Sequence, residues 1–127
     1  MPSALVVDDA RVIRILLAHH LHELGFEVVE AANGKEALEK LNQAPSVNLA
    51  LIDWNMPVVT GIDCLKAIRA DSRFASLPVV MVTSETDMDH IVIALEAGAT
   101  DYIMKPFTPE VIAEKLLLLG LIDAEPL

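Results

Sequence analysis

Short apolar runs alternate with amphipathic helical segments along the whole chain. The runs lie at residues 4–7, 27–30, 48–52, 79–82 and 101–104, and helical patterns of about 10 to 15 residues separate them. This alternation is typical of βαβ units, in which helices cover both faces of a parallel sheet. The sequence therefore predicts an α/β fold, a doubly wound (βα)5 domain over residues 1–127. The apolar first, third and fourth strands are expected inside the sheet, and the more polar second strand at an edge.

The helical segments carry recognisable ends and core faces. Gly25 and Gly98 stand where helices need a left-handed C-terminal cap, and Asn33, Asp87 and Thr108 are candidate N-caps. Apolar spacing defines the expected core face of the first helix, Ile13, Leu16, Leu17, His20, Leu21 and Leu24. The fourth helical segment contains the apolar residues Ile91, Ala94 and Leu95. Four consecutive leucines at 116–119 cannot all face the core of a helix, so part of that surface is expected to meet a partner.

Charge and composition exclude several functions. The net charge of −10 opposes binding to nucleic acid, because phosphate recognition depends on lysine and arginine. No apolar run approaches the roughly 18 residues that span a bilayer, and the first residues lack the basic character of a secretory signal. A cytoplasmic protein is expected, in which the single cysteine, Cys64, is buried.

Polar side chains stand at the carboxyl end of every predicted central strand. Because the carboxyl ends of parallel strands line one crevice, these residues are expected to converge on a single site. They are Asp8, Asp9, Asp53, Asn55, Thr83, Ser84 and Lys105, the last of which is followed by Pro106.

The acidic members of this group indicate a metal site. Crowded carboxylates repel unless a cation joins them, and Mg²⁺ prefers oxygen ligands while keeping several waters. Asp9 and Asp53 are the expected direct ligands, Asp8 can act through a bound water, and Asn55 can contribute its backbone carbonyl.

The same residues suit phosphoryl transfer. A carboxylate can attack phosphorus to form an acyl phosphate, and Asp53 is the central candidate. Lys105 offers a compact cation and Thr83 a hydroxyl donor for phosphoryl oxygens.

Four longer motifs contain these strand-end residues: VVDD at 6–9, DWNMP at 53–57 with Gly61, VTS at 82–84 and YIMKPF at 102–107. Taken together, these motifs resemble the response-regulator receiver domain, and within that family its CheY-like single-domain members. The resemblance covers almost the whole chain. It implies a flavodoxin-like sheet of strand order 2-1-3-4-5.

The resemblance also implies roles for individual residues. Asp53 would be the phosphoacceptor, Asp8 and Asp9 the metal-binding pair, and Thr83 and Lys105 the phosphoryl contacts. Thr83 and Tyr102 would move together as a switch, and the bond between Lys105 and Pro106 would be cis.

The implied function is a phosphorelay response regulator, in chemotaxis or another pathway. A histidine kinase or phosphotransfer protein would be the phosphodonor and Mg²⁺ the cofactor. A downstream protein would bind the surface of helix 4, strand 5 and helix 5. The protein itself would be a monomer or a phosphorylation-dependent dimer. No output domain is expected after Leu127. Such a domain is a signalling module and not an enzyme, although it assists its own phosphorylation and dephosphorylation.

Other functions remain open at this point. Haloacid-dehalogenase-type phosphatases also form an aspartyl phosphate, but they place a second aspartate where this chain has Asn55. A flavin-binding protein would share the fold, yet Asp8 and Asp9 would repel a flavin phosphate. A phosphorylation-independent docking module would require none of the polar strand-end residues. A metal site at His19, His20 and His22 is disfavoured, because their neighbourhood lacks further ligands at matching spacing.

Overall fold

A computed structural model describes residues 2–44, 46–56, 58–84 and 88–123, except the side chain of Met88. Strands and helices alternate along these residues as the sequence predicts. The strands are β1 Ser3–Val7, β2 Glu27–Ala31, β3 Leu49–Asp53, β4 Val79–Thr83 and β5 Asp101–Met104. The helices are α1 Arg11–Glu23, α2 Gly34–Gln43, α3 Gly61–Ala70, α4 Met88–Glu96 and α5 Pro109–Leu118, with a 3₁₀ turn at Ser72–Phe74.

The five strands form one parallel sheet of order β2-β1-β3-β4-β5. The predicted order is confirmed, with the polar strand β2 at an edge. Each predicted strand boundary lies within one residue of the observed boundary. Asp53 and Thr83 belong to their strands because both still pair in the ladder, Asp53 opposite Val82 and Thr83 opposite Met104.

Alternate side chains of the central strands enter two separate cores, as the strand period of two requires. Leu5 and Val7 pack beneath α2, α3 and α4, and Ala4 and Val6 pack beneath α1 and α5. Both faces of the sheet are therefore covered. No helix among the described residues is long and apolar enough to cross a membrane.

Side-chain caps fix the starts of α2 and α5. The Asn33 side chain accepts a hydrogen bond from the Glu36 backbone N–H at 2.8 Å, and the Thr108 hydroxyl accepts one from Val111 at 3.2 Å. Gly25 has φ +94° at the end of α1, a conformation that disfavours any side chain. The predicted cap Asp87 lies outside the described residues.

The prediction that Leu16 faces the core is wrong, and one apolar residue of α4 is also exposed. Leu16 is 39 % exposed because the buried side of α1 runs through Leu17, Ala18 and Leu21, which turns Leu16 to the flank. Leu95 is 46 % exposed because α4 buries Ile91 and Ala94 instead.

The leucine run and the cysteine follow expectation. Leu116 is fully buried, whereas Leu118 is 80 % exposed. Cys64 is a residue of α3 that is buried in the core, and burial raises the pKa of its thiol to about 12. This cysteine is therefore a packing residue.

Candidate functional site

The polar strand-end residues converge at the carboxyl edge of the sheet. Asp8 directly follows β1, Asp53 ends β3, Thr83 ends β4 and Lys105 follows β5. The chain leaves β1 for β2 on one side, while β3 lies on the other side of β1. The site therefore occupies the topological switch point, where ligands bind in doubly wound sheets.

Three carboxylates form the centre of this site. Asp8, Asp9 and Asp53 each place an oxygen so that all three atoms lie within 4.8 Å of one another. Asp8 and Asp53 are buried, at 1 % and 6 % exposure, while Asp9 is open to solvent. The cluster thus has two buried candidate ligands, Asp8 and Asp53, and one candidate ligand that solvent can reach, Asp9.

Lys105 bridges the two buried carboxylates. Its Nζ donates to Asp8 Oδ2 and to Asp53 Oδ1, each at 3.0 Å. The other oxygen of Asp8, Oδ1, accepts from the Ala10 backbone N–H at 2.8 Å. The Lys105 N–H donates to Thr83 O at 2.7 Å, which fixes the start of the lysine segment against β4. The bond between Lys105 and Pro106 is cis.

The site retains excess negative charge. Burial raises the pKa of Asp53, and the Asp8 and Asp9 charges act in the same direction, against the hydrogen bond and charge of Lys105. Burial alone would lower the pKa of Lys105, but its bonds to Asp8 and Asp53 outweigh burial and raise that pKa. One ammonium therefore does not neutralise three carboxylates.

This donor set fits a hard divalent cation. All three candidate ligands are carboxylate oxygens, which Mg²⁺ and Ca²⁺ accept and softer metals accept less readily. The partly uncompensated charge provides the driving force for binding. Asn55, exposed in the loop after β3, lines a cavity of about 410 Å³ together with Asp9 and Trp54. The Asn55 segment thus reaches the same side of the site as the accessible ligand.

Thr83 and Tyr102 lie on the neighbouring strands β4 and β5. Thr83 is 3 % exposed and opposes Met104 in the sheet. Tyr102 is half-buried against the core under α4, and the Lys115 Nζ lies 5.2 Å from the centre of its ring. The two predicted switch residues are therefore on adjacent strands, one at the site and one towards α5.

Two residues near the site were missed by sequence reasoning. The Thr60 hydroxyl caps α3 by accepting from the Asp63 N–H at 3.2 Å, and threonine directly before the helical pattern was the available signal. His90 of α4 stacks on Trp54, with ring centroids 4.8 Å apart. No sequence pattern indicates that second contact.

The fold and the site together define a receiver-type signalling domain: a sheet of order 2-1-3-4-5 with an acidic cluster and a lysine at its switch point. The chain belongs to the response regulator receiver domain family, whose model matches residues 4–117.

Named relatives resemble the chain over most of its length. It is 45 % identical over 121 residues to the chemotaxis protein CheY1 of Helicobacter pylori, covering 94 % of this chain and 98 % of the relative. It is 41 % identical over 113 residues to the chemotaxis protein CheY homolog of Campylobacter jejuni, covering 88 % and 87 %. The structure of chemotaxis protein CheY4 of Vibrio cholerae superposes with a TM-score of 0.88 at 38 % identity, over 93 % of this chain and 98 % of that one. These relatives share the fold and the family.

Proposed function

We propose that Asp53 is the phosphoacceptor of a phosphorelay and that its phosphorylation changes the affinity of this protein for another protein. The observation that carries the proposal is the bridge from Lys105 Nζ to Asp53 and Asp8, at 3.0 Å each, inside an acidic cluster of a receiver domain. A purely structural ion pair would not need a third carboxylate in the same cluster.

The proposed step transfers a phosphoryl group to a carboxylate oxygen. Asp53 attacks phosphorus, a new P–O bond forms an acyl phosphate, and the bond from phosphorus to the donor breaks. The donor is a phosphohistidine, which leaves as imidazole, or a small acyl phosphate, which leaves as a carboxylate. Among the described residues, only Lys105 donates a side-chain hydrogen bond to Asp53, and it does so to Oδ1. The Oδ2 atom is therefore the candidate nucleophile.

Several neighbouring residues can each stabilise part of the negative charge on the transferring phosphoryl group. Asp8, Asp9, Asp53 and the Asn55 carbonyl would hold Mg²⁺, which supplies positive charge against the phosphoryl oxygens when bound. Lys105 already lies beside Asp53 and can contact a phosphoryl oxygen without a large movement. Thr83 ends the adjacent strand and can donate its hydroxyl. All these groups stand at the ends of strands of one sheet or within two residues of them, which favours a preorganised site.

The proposed output surface is α4, β5 and α5. Exposed apolar side chains on the two helices support this assignment: Val92, Ile93, Leu95, Val111 and Leu118. Tyr102 and Lys115 lie between them on β5 and α5. Phosphorylation would shift Thr83 towards the new group, Tyr102 would follow, and the partner would prefer one of the two states. A typical coupling of this kind changes affinity by about 5- to 150-fold.

The names of the relatives support chemotaxis as the process in which this protein acts. A histidine kinase or phosphotransfer protein as the phosphodonor, and a cytoplasmic location, are further parts of the proposal. Assistance to its own dephosphorylation is part of the proposal, as is a monomer or a phosphorylation-dependent dimer. Asn55 argues against a haloacid-dehalogenase-type phosphatase, which needs aspartate at that position.

Intact mass spectrometry after incubation with acetyl phosphate and Mg²⁺ tests the proposal. The wild type is expected to gain one phosphoryl group, and Asp53→Asn none, because an amide is a far poorer nucleophile. Asp63→Asn, at an exposed carboxylate of α3, is the matched control and should label as the wild type does. Equal labelling of the wild type and Asp53→Asn would place the acceptor elsewhere.

A further inference from the structure

An aromatic contact joins the acidic site to α4. The rings of Trp54 and His90 lie with centroids 4.8 Å apart and planes inclined by 14°. This is an offset-stacked arrangement of the kind that stabilises aromatic pairs beyond their buried area. The contact bridges the loop after β3 and the first turns of α4, two segments far apart in the sequence.

Trp54 is itself tied closely to the site. Its backbone connects Asp53 to Asn55, its N–H donates to Val82 O at 2.9 Å, and its carbonyl accepts from Gly61 N at 3.2 Å. Its side chain lines the cavity that Asp9 and Asn55 also line. A movement of the indole therefore affects the segment that carries the phosphoacceptor and the candidate carbonyl ligand.

For the His90 side chain the structure describes this ring contact and one unpaired nitrogen. Its Nδ1 is buried and has no hydrogen-bond partner among the residues that the structure describes. His90 therefore does not act as a polar tether through Nδ1. The stacked face of the ring is the contact that the structure describes for this side chain.

We propose that His90 is a positioning residue for the acidic site. By stacking on Trp54 it holds the segment from Asp53 to Asn55 in the conformation that binds a divalent cation. When the site is occupied, the same contact transmits the resulting change in this segment to α4. This inference deepens the proposed function and rests on it. The contact runs directly from the loop to α4, so it supplies a second connection besides the chain between β4 and α4.

Two substitutions separate stacking from space-filling. His90→Phe keeps a flat ring against the indole, whereas His90→Leu fills similar space without one. Loss of the stack should reduce the fraction of protein in the binding-competent conformation, which raises the apparent dissociation constant in proportion. From the usual strength of an aromatic pair, His90→Leu should weaken Mg²⁺ binding by about 2- to 10-fold. His90→Phe should bind as the wild type does, and His22→Ala, at an exposed histidine of α1, is the control.

Three measurements decide the matter. In metal-free protein, nuclear Overhauser contacts between His90 and the indole report the stack itself. Mg²⁺ titration followed by the fluorescence of Trp54, the chain's one tryptophan, gives the affinities. Amide shifts of Ala94 and Leu95 on adding beryllofluoride report transmission to α4, and they should shrink in His90→Leu and persist in His90→Phe. Urea unfolding of each variant verifies that it remains folded.

The outcomes are distinct from those for the proposed function. If the wild type takes up phosphoryl from acetyl phosphate while His90→Leu keeps both its Mg²⁺ affinity and its α4 shifts, only the role of His90 is overturned. Equal weakening in His90→Phe and His90→Leu also overturns it, because the ring would then be irrelevant. Absence of the Overhauser contacts in the wild type has the same consequence. A wild type that binds Mg²⁺ with these effects but does not label leaves the positioning role standing and removes the phosphoacceptor.

Discussion

Substituting alanine for Gly61 should damage the site more than the fold. Gly61 is the buried first residue of α3, and it packs against the backbone that follows β3. A Cβ there would lie 3.0 Å from the Asp53 carbonyl carbon and 3.0 Å from Trp54 Cα, and closer still to the Asp53 carbonyl oxygen. Ordinary contacts begin at 3.4 Å, so the backbone carrying the phosphoacceptor must move by several tenths of an ångström or more.

The size of the effect follows from that displacement. Overpacking against a backbone that cannot rotate away costs about 1 to 3 kcal/mol of stability. Misplacing a reacting group by about 1 Å can cost on the order of 100-fold in rate. We therefore expect Gly61→Ala to take up phosphoryl from acetyl phosphate about 10- to 100-fold more slowly than the wild type.

Gly25→Ala provides the matched control at the opposite edge of the sheet. Gly25 has φ +94°, and an added Cβ would meet no atom within 4 Å. The left-handed backbone alone should cost about 1 to 2 kcal/mol. The two variants should therefore lose similar stability in urea, while time-resolved intact mass spectrometry finds slow labelling in Gly61→Ala only.

Labelling of Gly61→Ala at the wild-type rate would contradict this prediction, because the close approach would then not position Asp53. Labelling of Gly25→Ala as slow as that of Gly61→Ala, at equal stability, would contradict it too. In that case loss of stability, and not displacement of the phosphoacceptor, would explain the rate.

Three further predictions concern other parts of the chain. Leu116→Ala should cost about 2 to 5 kcal/mol in urea unfolding because its side chain is fully buried, whereas Leu118→Ser, at 80 % exposure, should change stability by less than about 0.5 kcal/mol. Burial, with help from the Asp8 charge, raises the pKa of Asp53 in the folded protein above its ordinary 3.8. The native state therefore binds this proton more tightly than the unfolded state does, and the protein loses stability as the pH rises through the raised pKa. In metal-free buffer Asp53→Asn should thus be more stable than the wild type near neutral pH, and the gain should fade as acid protonates Asp53; no gain near neutral pH would contradict this. The Cys64 thiol, with its pKa raised to about 12 by burial, should resist a thiol reagent in native buffer and react in urea.

Residues far apart in the sequence could be assigned to one site where a general rule of the fold brings them together. Asp8, Asp53 and Lys105 could be assigned to one site because strand carboxyl ends share an edge, and the structure places the Lys105 ammonium 3.0 Å from both carboxylates. The edge position of β2 could be predicted because its glutamates suit a strand that is not buried on both faces, and the structure places β2 at an edge of the sheet.

Other features depend on how helices are turned against the sheet, which periodicity gives only approximately. Leu16 and Leu95 fit the apolar spacing yet lie at the flanks of their helices. The contact of Trp54 with His90 requires a particular placement of α4 over the loop after β3, and no local pattern encodes it.

Chemical trapping of the acyl phosphate tests the central claim most directly. Borohydride reduces an acyl phosphate to an alcohol, releases phosphate and converts the modified aspartate to homoserine. After treatment with acetyl phosphate and Mg²⁺, reduction and proteolysis, peptide sequencing by mass spectrometry should find homoserine at position 53, with aspartate retained at Asp8 and Asp9. Homoserine at either of those residues, or at none of the three in protein shown to have gained a phosphoryl group, would contradict the assignment of Asp53.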